Sequence, residues 1–263
     1  MRTYRIDGEL MDIQNELINS CSRCEIHRTN YTLKFKDLDT KEISFFTSKS
    51  LPPYIFAIYK NMERDIKNSG VLPPEFNDNS KIKYFHLNRN TIYPENFDIV
   101  DLTAAYPTAL KNLGYITPET FNKMMKLRKD FRLQVTGMLA TQKSIFYFEN
   151  GKYIDLKIES NPLRNVFFHV CSEVGELLDV MRFVYPDTFL FYWVDGVGLI
   201  NGAENAIQYF NDCGYPAKIE KVTKCRKYKN HLSFLKDGKK KVFFFPNFDK
   251  LTDRGIINFL VNK

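Results

Sequence analysis

Two aspartates lie where apolar runs end in turns. Asp101 comes near the end of the run Phe97–Leu102, which has the composition of a short strand, and Asp195 follows the aromatic run that begins at Thr188. Carboxylates on neighbouring sheet elements can hold two divalent ions about 3.5–4 Å apart, which is what two-metal phosphoryl transfer requires. Either aspartate taken alone is more typical of a turn or cap residue.

A strongly basic segment follows the second aspartate. Between Lys218 and Lys241 the chain has ten Lys and Arg residues against Glu220 and Asp237, an excess of eight, while the net charge of the whole chain is +7. This concentration of charge is typical of a surface that binds a polyanion. The alternative is the solvated basic face of an ordinary protein.

Composition places the chain among folded globular proteins. It has 263 residues, of which 44% are hydrophobic, with 23 Phe and 15 Tyr, and this is enough to form a substantial core. The N-terminus has no apolar signal region, and no uninterrupted apolar stretch approaches the roughly 18 residues of a membrane span. We therefore expect a soluble cytoplasmic protein without a membrane partner, located in the host cytoplasm if its source is viral.

The five cysteines do not predict a disulfide framework. Their number is odd and their spacing irregular, as expected for reduced thiols in the cytoplasm. Cys21, Cys24 and His27 form half of a zinc-knuckle pattern, but a structural zinc site needs four ligands and no second pair follows. A helix end that carries two thiols is the preferred interpretation.

The predicted elements change in pattern near residue 90. Before it, the sequence predicts helices over 8–22 and 55–68 and a hairpin of strands 31–35 and 43–47. After it come a strand over 97–102, a turn at Pro107, and a helix that Thr117 caps and that runs to residue 139. The remaining predicted elements are a hairpin across Asn150-Gly151, a helix over 164–183, strands over 188–194 and 197–200, and a helix over 203–211. The succession indicates an α+β fold with an antiparallel sheet.

Three segments of this region contain residues at the spacing of short sequence motifs, and the segments follow one another in the order of those motifs. Asp101-Leu-Thr-Ala-Ala-Tyr106-Pro107 fits D-x-x-S-L-Y-P in its acid, Tyr and Pro. Lys129 and Gly137 have the eight-residue separation of K-x-x-x-N-S-x-Y-G, and Phe191-Tyr-Trp-Val-Asp195 is similar to Y-x-D-T-D-S at its second acid. These segments resemble motifs A, B and C of family B DNA polymerases.

Two further segments extend the resemblance to roughly residues 90–235. The stretch Gly137–Gln142 is similar to the G-K-F-A-S-N of the phage protein-primed members. Arg226-Lys227-Tyr228 is similar to the K-x-Y segment of the same family, which lies near the primer.

The resemblance implies a role for each matching residue. Asp101 and Asp195 would bind two Mg²⁺ ions, with Mn²⁺ as an alternative, and Lys129 would meet the triphosphate of the incoming nucleotide. Backbone amides of Ala104, Ala105 and Tyr106 would cradle phosphates, and Tyr106 would lie beneath the sugar. Arg226, Lys227 and Tyr228 would hold the primer strand.

The resemblance also implies a domain organisation. Residues 1–90 would form a small N-terminal α+β region of unknown role. Residues 91–235 would form a palm, an antiparallel sheet with packed helices and a reduced fingers insertion at about 108–140. Residues 236–263 would form a minimal thumb. The pair Asp7 and Glu9 matches the D-x-E of a proofreading domain, but too few residues precede Asp101 for that fold, so we interpret the match as chance.

The sequence departs from the family at three informative positions. Trp193 replaces the first acid of motif C, and Leu133 and Thr136 replace the Asn and Tyr of motif B. Three hypotheses follow. The first is a minimal polymerase or primase that uses nucleoside triphosphates on a nucleic-acid template, with a replication protein as an additional partner. The second is an inactive palm that binds nucleic acid or a replication partner, and the third is a basic scaffold with accidental motifs.

Overall fold

The computed structural model describes residues 2–5, 10–29, 32–47, 52–76, 85–88, 91–229, 231–236 and 238–244. In these ranges lie seven α-helices and two sheets that are mostly antiparallel, so the expected α+β class is confirmed. The helices are α1 (Leu10–Asn19), α2 (Pro53–Asn68), α3 (Ala105–Asn112), α4 (Pro118–Met125), α5 (Lys129–Gly137), α6 (Arg164–Val184) and α7 (Ala203–Asp212). The strands are β1 (Arg2–Arg5), β2 (Arg23–Arg28), β3 (Thr32–Asp37), β4 (Ile43–Thr47), β5 (Phe85–Leu87), β6 (Phe97–Leu102), β7 (Gln142–Glu149), β8 (Lys152–Ser160), β9 (Phe189–Trp193), β10 (Gly196–Leu199), β11 (Ala217–Lys227), β12 (His231–Lys236) and β13 (Lys239–Phe244).

The chain forms two compact units, and each is built from two separate stretches of sequence. The first unit is Met1–Ala57 with Ala140–Arg164, and the second is Ile58–Leu139 with Asn165–Lys263. The first unit contains a sheet in the order β1-β4-β3-β2-β7-β8, in which only β1 and β4 pair in parallel. Its core joins Leu10 and Ile18 of α1 to the alternate apolar positions of β2 and β3, as expected for a sheet with one covered face.

The second unit is organised around β6. Its sheet runs β13-β12-β11-β6-β10-β9-β5 with antiparallel neighbours throughout. Helix α7 packs against β6 and β11, and the alternate residues Val100 and Leu102 of β6 are buried. Because side chains alternate along a strand, Asp101 belongs to the opposite face of this sheet.

That opposite face carries a cluster of aromatic side chains. Phe97 contacts Phe191 and Phe234, and Phe243 of β13 contacts Phe191 and Trp193 of β9. Strands β13 and β9 are far apart in the sheet order, so these contacts require the sheet to curl. The aromatic face is therefore closed over by its own outer strands.

Gly198 permits this packing. A Cβ at this position would lie 2.5 Å from Cε1 of Phe191, its register partner on β9. Only a residue without a side chain allows the ring to lie against the strand.

The predicted helix over 117–139 is wrong in one respect, because the structure has two helices there. Thr117 caps α4 as expected, since its Oγ1 accepts from the amide of Thr120. The helix then stops at Met125, and α5 begins at Lys129. Arg132 donates from Nη1 to the carbonyls of Met125 and Leu127, at 3.3 and 2.9 Å. The guanidinium thereby satisfies carbonyls that the end of α4 leaves without helical partners.

Two other local predictions are corrected. Pro107 lies in the first turn of α3 rather than in a turn between elements, a position that tolerates proline because the missing amide would have no intrahelical partner. Cys24 lies in β2 and is buried, not at a helix end. Strands β12 and β13 pair as a hairpin. Its turn residue Asp237, like Asp7 and Glu9, is outside the described residues.

Candidate functional site

Asp101 and Asp195 lie at the same end of two adjacent strands. Strand β10 pairs with β6 so that Gly196 is opposite Asp101. The amide of Leu102 donates to the carbonyl of Asp195 at 2.7 Å, which ties the two chain segments together directly at the site. The strand register therefore brings both predicted carboxylates to one edge of the sheet.

The turn that carries Asp195 has a strained backbone. Only Val194 and Asp195 separate β9 from β10, and Val194 has φ +55°. Positive φ is unusual for a β-branched residue, and here the amide of Asp195 donates to the carbonyl of Trp193 at 2.6 Å. Strain of this kind is often found at functional sites.

One open pocket of about 600 Å³, which includes solvent-filled space, contains most of the predicted site. Six residues predicted from the sequence line it: Asp101, Ala104, Ala105, Tyr106, Lys129 and Asp195. The other lining residues are Leu102, Thr103, Pro107, Arg132, Leu133 and Lys218. Five segments of the second unit thus converge here: the end of β6, the start of α3, the start of α5, the β9–β10 turn and the start of β11.

The start of α3 provides backbone donors at this pocket. Ala104 precedes the helix in the left-handed conformation with φ 52° and ψ 46°, and no side chain caps the helix. The amides of Ala105 and Tyr106 belong to the first turn, which has no intrahelical acceptors. Such a helix start is suited to anionic groups such as phosphate.

Tyr106 lies between the pocket and the core. Its ring contacts Phe167, and its hydroxyl is buried without a hydrogen-bond partner among the described residues. Burial raises the pKa of this phenol well above its ordinary value, and Cys171 and Asp195 raise it further. The hydroxyl therefore stays protonated even well above neutral pH.

Lys129 is the first residue of α5 and is exposed. The neighbouring Arg128 and Asp130 form a bidentate pair with each other, with distances of 3.2 and 2.8 Å. Leu133, one turn later, lines the pocket, whereas Thr136 is buried and donates to the carbonyl of Arg132. The two motif B substitutions therefore differ in position, since one is at the pocket and the other is in the helix packing.

Lys218 also lines the pocket, although in the sequence it stands out only as part of the basic segment. It is the register partner of Asp101, and its Nζ lies 3.9 Å from Oδ2 of Asp101 and 2.6 Å from Oε1 of Glu220. Glu220 also pairs with Lys236. Burial raises the pKa of Glu220, but hydrogen bonds from both lysines outweigh burial and leave that pKa below its ordinary value. Strand pairing alone created this contact, so no local sequence signal marked it.

Trp193 occupies a position where the resembling family has an acid. Gly196 pairs with both Trp193 and Asp101, so the indole lies on the face that carries Asp101. Only 8% of Trp193 is exposed, and its ring contacts Phe85 and Phe243. A carboxylate at this position would be desolvated among aromatic rings.

The predicted primer-binding residues lie outside this pocket. Arg226 and Lys227 end β11, and Tyr228 follows them with 46% of its surface exposed. Tyr228 stacks on His231 with ring centroids 4.4 Å apart, and Lys227 lies over the ring of Tyr93. These residues therefore form an exposed aromatic and basic group. They do not line the pocket that contains Asp101 and Asp195.

The pocket residues fit a hard divalent ion. Asp101 and Asp195 offer oxygen ligands, and Mg²⁺ is usually held by one or two carboxylates together with substrate phosphates and water. Among the described residues no group of three or more His, Cys, Asp and Glu side chains is placed to hold a metal ion. The two carboxylates therefore need phosphate or water oxygens to complete any coordination shell.

The half zinc-knuckle pattern does not converge on one point. Cys24 and His27 are three residues apart on β2, so their side chains leave opposite faces of the sheet. Burial raises the pKa of the Cys24 thiol to about 12, and His27 Nδ1 lies 3.1 Å from the carbonyl oxygen of Ser144. A buried protonated thiol is a poor zinc ligand because zinc binds the thiolate.

Comparison with known proteins gives no family model that matches this chain and no curated protein that matches it. In the described part of the chain, no helix has the length and apolar composition needed to cross a membrane.

Proposed function

We propose that this protein is a minimal template-directed nucleotidyltransferase of the family B DNA polymerase type. The observation that supports this most strongly is the convergence of the predicted residues. Asp101, Asp195 and Lys129 come from three distant segments, yet they line one pocket together with the start of α3. Accidental matches to three motifs would not be expected to meet in this way.

In this proposal the acidic and the basic groups of the pocket have different roles. Asp101 and Asp195 hold divalent ions, which supply charge neutralisation of the phosphates and activation of the attacking hydroxyl. Lys129 and the first amides of α3 bind the phosphates of the nucleotide. Tyr106 supports the sugar from below, and Leu133 contacts the nucleotide from the α5 side.

The nucleic acid binds to the basic strands that follow the site. Lys239, Lys240 and Lys241 are exposed on β13, and Arg226, Lys227 and Tyr228 end β11. Cationic side chains attract phosphates, and an exposed tyrosine offers a surface for base stacking.

The second candidate function is an inactive palm that binds nucleic acid or a replication partner. Trp193 favours it, because the buried indole takes the position of an acid that the resembling family uses. We prefer the active enzyme because Asp101 and Asp195 are both retained at the pocket.

The two functions are separated by incorporation of labelled deoxynucleoside and ribonucleoside triphosphates on primed and unprimed single-stranded templates, with Mg²⁺ or Mn²⁺. The proposal predicts template-dependent product that Asp195→Ala eliminates. If wild type makes no product under any condition but binds nucleic acid in a salt-sensitive manner, the inactive palm is the correct function. Product that persists in Asp195→Ala would contradict the two-carboxylate site.

A further inference from the structure

Lys218 places a positive charge beside the carboxylate that is proposed to bind metal. Its Nζ is 3.9 Å from Oδ2 of Asp101, and it lines the same pocket. Only 15% of the Asp101 side chain is exposed, compared with 58% for Lys218. The ammonium therefore lies on the solvent side of a carboxylate that is mostly enclosed by protein.

Glu220 holds this ammonium in place. It is two residues from Lys218 on β11, on the same face of the strand, and the ion pair between them measures 2.6 Å. Glu220 is buried and has a second ion pair with Lys236. Because a buried carboxylate is costly to leave without partners, we expect the pairing of Lys218 with Glu220 to persist.

We infer that Lys218 acts as a tethered cation that opposes divalent-ion binding at Asp101 and so sets the metal affinity of the site. The inference rests on the proposed function, since it assumes that Asp101 binds metal. A metal ion at Asp101 must approach the ammonium or displace it, and both cost free energy by charge repulsion. When the ammonium moves away from Asp101 it keeps its existing ion pair with Glu220, and this lowers the cost.

The protein contains its own probe for this metal site. Trp193 is the only tryptophan in the chain, and Gly196 pairs with both Trp193 and Asp101. Two strand spacings place the Cα atoms of Trp193 and Asp101 about 10 Å apart. Tb³⁺ prefers oxygen ligands and emits when a nearby excited indole transfers energy to it, so titration of the full chain with Tb³⁺ reports binding at Asp101 without any catalysis.

Lys221 offers a matched control. It lies on β11 three residues after Lys218, it is also opposite an aspartate of β6, and its Nζ is 3.7 Å from Oδ1 of Asp98. Neither Lys221 nor Asp98 lines the pocket. Lys221→Met therefore removes an equivalent exposed ion pair outside the site, while Lys218→Arg keeps the charge within it.

Lys218→Met is expected to raise Tb³⁺ affinity by about tenfold, which corresponds to about 1.4 kcal/mol for charges separated by a few ångströms near the surface. Lys218→Arg and Lys221→Met should stay within about twofold of wild type, a free-energy change of less than RT. Mg²⁺ competition should follow the same order, and circular dichroism checks the fold of each variant.

Two results would overturn the inference, and they have different consequences. If Asp101→Asn eliminates the Tb³⁺ signal but Lys218→Met leaves affinity unchanged or lower, the metal site stands and the role of Lys218 is wrong. If no variant shows a signal that depends on Asp101, both the metal site of the proposed function and the inference fail.

Discussion

At the scale of single residues, Trp193 shows how the fold restricts what the site can contain. The indole lies on the same sheet face as Asp101 and packs against Phe85 and Phe243. The curl of the sheet brings Phe243 to this position, and this curl has no local sequence signature. The sequence identified Trp193 as a departure from the family, and the structure provides the physical reason.

This explanation predicts the effect of restoring an acid. Trp193→Asp would bury a carboxylate among aromatic rings, so we expect a loss of more than about 3 kcal/mol in the free energy of unfolding and no gain in activity. Trp193→Phe keeps an apolar ring, so we expect it to lower the free energy of unfolding clearly less than Trp193→Asp does. Urea denaturation of the three proteins measures both effects, and an Asp variant as stable as the Phe variant would refute the explanation.

At the scale of elements, the strongest local sequence signals predicted the correct type of secondary structure. Thr117-Pro118 predicted the start of α4, and Asn150-Gly151 predicted the hairpin of β7 and β8. The same reasoning missed α3, because Pro107 was interpreted as a turn, and missed the break between α4 and α5. At that break Arg132 donates to the carbonyls of Met125 and Leu127, a local contact that helical spacing in the sequence does not reveal.

The start of α4 also has a partner that sequence spacing could not reveal. Asp65 of α2 is buried and accepts from Oγ1 of Thr117 at 2.6 Å and from the amide of Thr117 at 3.1 Å. Burial raises the pKa of Asp65, but the hydrogen bonds from Thr117 and Thr120 and the charge of Arg64 outweigh burial, so the pKa lies below its ordinary value.

This lowered pKa predicts a pH-dependent contribution to stability. A carboxylate with a lower pKa in the folded state stabilises the protein above the unfolded pKa, and it loses that contribution as pH falls through the folded value. Asp65→Asn should cost about 1–3 kcal/mol at pH 7, and the difference from wild type should shrink below about pH 4. Urea denaturation at pH 7 and pH 3 measures this, and a difference that is independent of pH would contradict it.

Across the molecule, the sequence predicted where positive charge is concentrated, but it did not predict which charged residues contact each other. The excess of positive charge between Lys218 and Lys241 was evident from composition, and the structure places it on three adjacent strands, β11, β12 and β13. The pairing of Lys218 with Asp101 was not predictable, because β11 follows β6 by more than 110 residues and only the sheet order makes them neighbours.

The basic strands predict a salt-dependent affinity for nucleic acid. Changing Lys239, Lys240 and Lys241 together to Gln should weaken binding and reduce the slope of log K against log salt by up to about 2–3 if each lysine meets a phosphate. Changing Lys60 and Lys67 to Gln is the control, because both pair with Glu63 on α2. Fluorescence anisotropy with a labelled oligonucleotide, measured from about 50 to about 200 mM salt, gives the slopes. Equal slopes for all three proteins would exclude β13 from the interface.

Asp98 is a matched comparison for the proposed role of Asp101 in nucleotidyl transfer. Both aspartates lie on β6, and both are opposite a lysine of β11 at 3.9 and 3.7 Å, but only Asp101 lines the pocket. Single-nucleotide incorporation on a primed template should fall by more than about 100-fold in Asp101→Asn, a barrier increase of about 2.7 kcal/mol or more, and by less than about threefold in Asp98→Asn. Similar rates for the two variants would contradict a role for Asp101 in the reaction.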